Sequence, residues 1–439
     1  MMSTLELPVA VERPTPPVPE SIADTGLKET FIQQLILKTI YYRGEILGRD
    51  LAKSMGLNFS LLEPMLEFFK GQYLVAVKRS LGVGMVSSVF ALSDQGRNIT
   101  LQYIESSAYS GKAPVPLDQY CAVVKLQKRK NWLTPEKLAE AFSHMIVSPD
   151  VLAQIGPAVN SGKSFLMYGQ PGNGKTYVAE SLFRIESDPI FIPYAIESGG
   201  QIVEMYDPLY HTQLDAVSDE PSIWAAPEEE NYDRRWFRAK RPFIASGGEL
   251  TLDMLDLAYK PDSKVYDAPL QLKANNGIYL IDDFGRQKVS PTEVLNRWII
   301  PMERGTDFFT FLTGGKISIP FETFLVFSTN LRPHQIGDEA FLRRIQYKMY
   351  LRNPVEDEFQ SIFFKQCAAL DLELDHGALE QFMEYRYRIT KKPMRRCQPR
   401  DILTHAVDLI EFENLPRLLT TEILDRAYDS TFVADQFEE

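Results

Sequence analysis

The chain has 439 residues, too many for one ordinary core, so two or three domains are expected. Hydrophobic residues at 44% and charged ones at 24% fit a soluble globular protein, and no apolar run reaches the roughly 20 residues that span a bilayer. Lys and Arg number 47 against 59 Asp and Glu, a net charge of -12 that argues against broad, nonspecific binding to nucleic acid.

The first residues, MMSTLELPVAVERPTPPVPE, lack a basic region followed by an apolar one, so a cytoplasmic protein is expected. Prolines among small and polar residues make 1–25 a flexible tail. FIQQLILKTIYY (31–42), GRDLAKSMGL (48–57) and FSLLEPMLEFFK (59–70) carry apolar residues at helical spacing. YLVAVKRS (73–80) and SSVFALS (87–93) then alternate like strands. Three helices and a two-stranded wing resemble a winged helix over about 26–106. The third helix of such a unit often reads DNA, but here it offers Glu63 and Glu67 against Lys70, which favours a protein-interaction or spacer module. SSAYSGKAPVPLDQ is rich in Gly, Pro and Ser, so 107–130 is expected to be a linker.

From about 131 the chain alternates short apolar runs with helical stretches. SFLMY (164–168), PIFIPYA (189–195), GIYLID (277–282) and FLVFST (324–329) suit a parallel sheet covered on both faces. DFFTFLTGGKISIPFE (307–322) predicts a hairpin turned at Gly314–Gly315. After Pro354 the pattern is helical, giving an all-α domain over 354–439. The expected fold class is α/β: a P-loop NTPase core over 131–353, an all-α C-terminal lid and a small N-terminal winged-helix-like α+β domain.

The octet GQPGNGKT, from Gly169 through Gln170, Pro171, Gly172, Asn173, Gly174 and Lys175 to Thr176, satisfies G-x-x-x-x-G-K-[ST]. It follows an apolar run and precedes a helical one beginning at Tyr177, the strand–loop–helix context that a phosphate cradle needs. Its glycines let backbone N–H groups approach phosphate oxygens, and the helix N-terminus adds a favourable dipole. Lys175 then reaches the terminal phosphates of ATP, and the Thr176 hydroxyl ligates Mg²⁺. Further on, GIYLIDDFG ends an apolar strand in two acids. Asp282 suits Mg²⁺, held directly or through water, and Asp283 is placed to orient or deprotonate the attacking water. The cysteines Cys121, Cys367 and Cys397 form no close pair, and five scattered histidines lack a zinc spacing.

These motifs in this order resemble the AAA+ ATPases, loosely the MoxR-type and related chaperone-like branches. GQPGNGKT looks like Walker A and IYLIDD like Walker B. The resemblance implies a sensor 1 role for Asn330 at the end of FLVFSTN. It implies an arginine finger at Arg343 or Arg344, presented to a neighbouring subunit, with Arg344 preferred because it adjoins an apolar residue. It implies a sensor 2 role for Arg400 in CQPRDIL. Asp283 departs from the usual Glu and is one methylene shorter, so hydrolysis is slowed unless a shifted backbone compensates.

The resemblance implies an ATP- and Mg²⁺-dependent hydrolase in a homo-oligomeric, hexameric ring that remodels a protein client. A DNA-binding motor or regulator, and an ATP-dependent scaffold with little hydrolysis, are the alternatives. The hairpin at 307–322 is either ordinary or faces the ring's pore. Within 196–276, eight acids (Glu204, Asp207, Asp215, Asp219, Glu220, Glu228, Glu229, Glu230) precede the basic run NYDRRWFRAKR. The pair reads as a solvated insertion or as complementary surfaces of adjacent subunits.

Overall fold

A computed structural model describes residues 15–129, 132–185, 188–214, 232–337 and 339–432. The N-terminal unit contains the three expected helices, Glu29–Arg43, Gly48–Met55 and Phe59–Gly71, and the antiparallel strands Val75–Ser80 and Ser88–Leu92. Ile32, Leu35, Ile36, Leu62 and Leu66 recur at helical spacing and are buried around Phe90. Two elements add to the expected set. Glu45–Leu47 pairs with Ser88–Leu92 to make a third strand, and Asp94–Ser106 is a fourth helix, N-capped by the Ser93 hydroxyl.

The stretch expected to be a linker is structured. Val115–Pro116 pairs in parallel with Ala195–Ser198, and the helix Leu117–Leu126 buries Tyr120 and Val124. Gly and Pro punctuate an edge strand and a helix start here, a composition that also suits slack chain. The tail is likewise shorter than expected. Pro16 and Pro19 are buried, the Pro16 carbonyl accepts from the Asp233 N–H at 3.0 Å, and Ala23–Thr25 forms a 3-10 turn. The rest of the expected tail, 1–14, lies outside the described residues.

The core is a five-stranded sheet of β1 (Phe165–Tyr168), β2 (Phe243–Ser246), β3 (Ile278–Ile281), β4 (Phe324–Thr329) and β5 (Tyr347–Tyr350). The order is β2-β3-β4-β1-β5, every pair parallel. Successive side chains enter opposite cores: Phe165 and Met167 join Val178, Leu182 and Val326, while Leu166 joins Tyr279, Phe327 and Trp298. Helices Pro149–Ser161 and Lys175–Phe183 cover one face and Pro291–Arg304 the other. The core is thus α/β with a parallel sheet covered on both sides.

PIFIPYA, expected in this sheet, lies elsewhere. Ile190–Pro193 pairs antiparallel with Trp236–Ala239, and Ala195–Ser198 joins a second sheet. Pro193 has no N–H to give a central ladder, which confines the run to an edge.

That second, mixed sheet belongs to the insertion, in the order Ala258–Lys260, Val265–Asp267, Gln201–Glu204, Ala195–Ser198, Val115–Pro116. The expected hairpin is present as Thr306–Thr310 and Lys316–Pro320. Phe309, Ile317 and Ile319 are buried against Tyr120, Val203 and Tyr266 of the insertion and its flank, leaving Phe308 and Leu312 exposed. Within the basic run Arg234, Arg238 and Lys240 are exposed, whereas Arg235 is buried. The Arg235 side chain is 1% exposed, ion-paired to Asp233, and donates to the carbonyls of Thr25 and Pro114, so it fastens the insertion to the N-terminal segment. Of the eight acids, Glu204 and Asp207 bind lysines of the insertion, and the other six lie outside the described residues.

The C-terminal region is helical, as expected: Glu356–Ala369, His376–Met383, Gln398–Glu413 and Thr421–Thr431 close around Phe359, Phe363, Phe382, Tyr387, Leu403 and Leu424. Among the described residues no helix is long and apolar enough to cross a membrane.

Candidate functional site

Tyr168 ends β1, and Gly169–Gly174 leads into the helix Lys175–Phe183. Two of its glycines are sterically required. A Cβ on Gly169, at φ 154°, would sit 2.4 Å from the Leu351 carbonyl oxygen, and one on Gly172, at φ 82°, would sit 2.6 Å from Cys397 Sγ. Gln170, Pro171 and Thr176 are exposed at the mouth of the loop.

Strand order does the next part of the work. Because β4 lies between β1 and β3, Asn330 at its end falls between the loop and the two acids. Lys175 Nζ donates to the Gly169 carbonyl (3.1 Å), the Gln170 carbonyl (3.0 Å) and Asn330 Oδ1 (2.7 Å). Asn330 Nδ2 in turn donates to Asp283 Oδ1 at 2.8 Å. In parallel, the Thr176 hydroxyl donates to Asp282 Oδ2 at 2.7 Å. Five of the residues singled out in the sequence are therefore joined in two short threads.

Lys175 is 6% exposed, and its three acceptors are all neutral. Burial pulls its pKa below the ordinary lysine value, and the fields of Asp282 and Asp283 offset this only in part. The site therefore holds a desolvated positive charge with no carboxylate bonded to it.

Asp283 has a left-handed backbone, φ 46°. Asp and Asn tolerate this conformation better than longer side chains do, because a short polar group bonds locally. The turn is pinned by Gln287, whose Nε2 donates to the carbonyls of Asp282 (2.9 Å) and Asp283 (3.2 Å) while its Oε1 accepts from the Gly285 N–H (2.7 Å). This left-handed turn holds the Asp283 carboxylate against Asn330.

Asn173 is fully buried. Its Nδ2 donates to Asn353 Oδ1 at 2.8 Å, and its Oδ1 has no partner among the described residues. It lines a cavity of about 10 Å³ together with Met145, Val147, Val151, Val178 and Leu351. That is room for about one water. Tyr177 is half-exposed, its ring edge-on to His144 at 5.2 Å with the Arg184 guanidinium 5.9 Å away.

Arg400 and Arg344 are each bonded to a carboxylate of their own chain. Arg400 is exposed and bonded to Asp401 at 2.9 Å. The helical domain meets the loop earlier: the Cys397 N–H donates to the Gly172 carbonyl at 2.8 Å, and Arg395 packs at Gly172. Helix Gln398–Glu413 starts just after this contact, which carries Arg400 on to its solvent side. Arg344, preferred as the finger, is held within its own chain by Glu303, Nε to Oε1 at 2.6 Å, while Arg343 is exposed.

Sequence reasoning also missed the clasp between core and helical domain. The Glu358 carboxylate receives Arg352 (2.8 Å) and Arg396 (2.7 Å), and Arg396 also donates to the Ile146 carbonyl. The available signal was the run Arg395–Arg396 just before the helix.

Residues 355–430 match a family described as a domain of unknown function, DUF8689. No curated protein matches the chain. Among solved structures it is similar to NtrX from Brucella abortus, at 12% identity and a TM-score of 0.41, over 68% of this chain and 58% of that one. It is also similar to a mutant RuvB from Thermotoga maritima, at 14% identity and a TM-score of 0.36, over 69% of this chain and 72% of that one. The chain thus spans a little over half of NtrX, and likenesses this loose leave its function to be argued from the site.

Proposed function

We propose that the chain is a Mg²⁺-dependent ATPase of the AAA+ kind, working as a homo-hexameric ring on a protein client. The observation that carries this reading is Lys175: a buried ammonium bonded to neutral acceptors and linked through Asn330 to Asp283. A phosphate chain laid along Gly169–Thr176 supplies the anion this charge lacks. Lys175 exchanges its carbonyl and amide acceptors for phosphate oxygens, and Asn330 keeps Asp283 oriented to take the proton of the attacking water. Thr176 and Asp282 offer hard oxygens already in contact, a donor set that fits Mg²⁺, and the cation supplies charge neutralisation between phosphates.

In this reading Arg343, exposed and untethered to Glu303, reaches the neighbouring subunit's nucleotide and stabilises charge on the transferring group. Arg395 and Cys397, on the loop itself, report its state to the helical domain over 354–439. The winged-helix-like unit serves as the client module. Phe68, Tyr73, Leu81 and Val83 are exposed on it, apolar groups of the kind that a protein partner covers.

Phosphate release from Mg²⁺–ATP, combined with particle mass with and without a non-hydrolysable analogue, tests the proposal. Turnover together with nucleotide-dependent rings is expected. Tight ATP binding by a monomer with no phosphate release would leave the scaffold reading instead. A labelled duplex is expected to stay unshifted by the whole protein.

A further inference from the structure

The other end of the central sheet carries a second cationic site. Where β3 and β4 begin, at Ile278 and Phe324, a cavity of about 100 Å³ is lined by Lys128, Arg129, Trp132, Arg241, Asn276 and Glu322. It lies at the opposite ends of the strands from Gly169, roughly 13–20 Å away at 3.3 Å per residue. Its guanidiniums are locked in place. Arg129 Nη2 donates to the Asp188 carbonyl at 3.3 Å, and its plane lies 4.1 Å from the centre of the Trp132 ring. Arg241 donates to the carbonyls of Asn276 (2.7 Å) and Gln127 (2.9 Å).

Those bonds leave three donors over. Arg129 Nε and Nη1 and Arg241 Nε are buried and have no acceptor among the described residues. Buried N–H groups of charged side chains are expensive to leave unmade. Charge adds to the demand. Glu322, the carboxylate in the lining, is paired to Lys128 at 2.7 Å, and Asp188 contributes a field from outside it. Burial pulls Arg129 down to about 10 and Arg241 to about 9, and Arg129 adds repulsion on Arg241.

We infer that this cavity binds a small oxyanion of the phosphate class, held by Arg129 and Arg241. One such ion supplies several acceptors at once and the missing negative charge. The volume is several times what one water needs, and the anion would tie the 127–129 segment to the insertion at Arg241 and to the sheet.

Inorganic phosphate is the probe, titrated against chloride at constant ionic strength on the full chain carrying Lys175→Ala, so that the loop does not respond. A saturable rise in the thermal midpoint is expected. Arg129→Gln and Arg129→Lys in that background, read by the midpoint and by broadening of the phosphate phosphorus resonance, should each weaken binding at least about tenfold, because even the lysine lacks donors at the Nε and Nη1 positions. The second readout reports binding even where a variant melts early. No saturable response in the Lys175→Ala protein, or one unaltered by both substitutions, would overturn the assignment.

Discussion

Two lysines, in two regions of this molecule, are buried to nearly the same degree and treated in opposite ways. Lys273 in the insertion is 4% exposed and Lys175 in the loop 6%. Lys273 Nζ lies 2.8 Å from both Asp207 and Asp267, and although burial pulls its pKa down, those two bonds raise it above the ordinary value. Lys175 meets two carbonyls and an amide, and its pKa stays lowered. A cation compensated by carboxylates holds structure together; one compensated by neutral dipoles keeps its charge for a ligand. Arg344 on Glu303 and Arg235 on Asp233 fall on the first side of this division.

The strongest way to break the division is at the arginines. Arg343→Ala should lower phosphate release by roughly 10³-fold or more, the scale of a finger residue, whereas Arg344→Ala should cost less than about tenfold. The reverse ranking would mean that Arg344 leaves Glu303 in the assembled ring. Asp283→Asn comes next, with turnover down roughly 10²- to 10⁴-fold and nucleotide affinity kept, since an amide still meets Asn330. Unchanged turnover would place the base elsewhere.

The lysines give the cleanest exchange of effects. Lys175→Ala should weaken nucleotide binding roughly 10- to 150-fold, from about 1.5–3 kcal/mol of charge-assisted bonding, without lowering the unfolding midpoint. Lys273→Ala should lower stability by about 2–3 kcal/mol, below the usual cost of breaking a buried pair because Asp207 and Asp267 keep some water, and leave nucleotide affinity alone. Nucleotide titration and urea unfolding on both variants check this. A lowered midpoint in Lys175→Ala, or a weakened nucleotide affinity in Lys273→Ala, would break the division.

The loop and its two acids were legible because their chemistry is local: an octet of fixed spacing, and carboxylates at the tip of one apolar run. Asn330 was legible through the strand that ends in it, although its place between Lys175 and Asp283 depends on β4 sitting beside β1, which only pairing decides. The short strands β2 and β5 carry too little apolar pattern to stand out. FIAS is four residues, and YKMY has Lys348 in its middle. PIFIPYA misled for the opposite reason, being apolar enough for a central strand but unable to complete a ladder through Pro193. Gly–Pro composition could not separate slack chain from the edge strand Val115–Pro116. Arg395 and Arg400 differ only in where the helix begins, which is set by packing on Gly172.

The smallest expected effect is also the one that tests the two lysines in a single experiment. Lys273 has a raised folded pKa, so its stabilisation is complete below the unfolded value of about 10.4 and is lost as pH rises beyond that, through the folded pKa. Lys175 has a lowered folded pKa, so its charge costs stability at neutral pH, and that cost fades as pH rises through the folded value toward about 10.4. Asp207, with its pKa lowered by Lys273 and the Leu209 N–H against an opposing effect of burial, adds stability present above about 3.9 and lost as pH falls below it. Urea midpoints measured against pH should therefore show wild type gaining on Lys175→Ala up to about pH 10.4, then losing its lead over Lys273→Ala above it. Two difference curves bending the same way would mean that the neutral cage around Lys175 compensates its charge as fully as carboxylates do, and the loop would then hold no reserve of charge for phosphate.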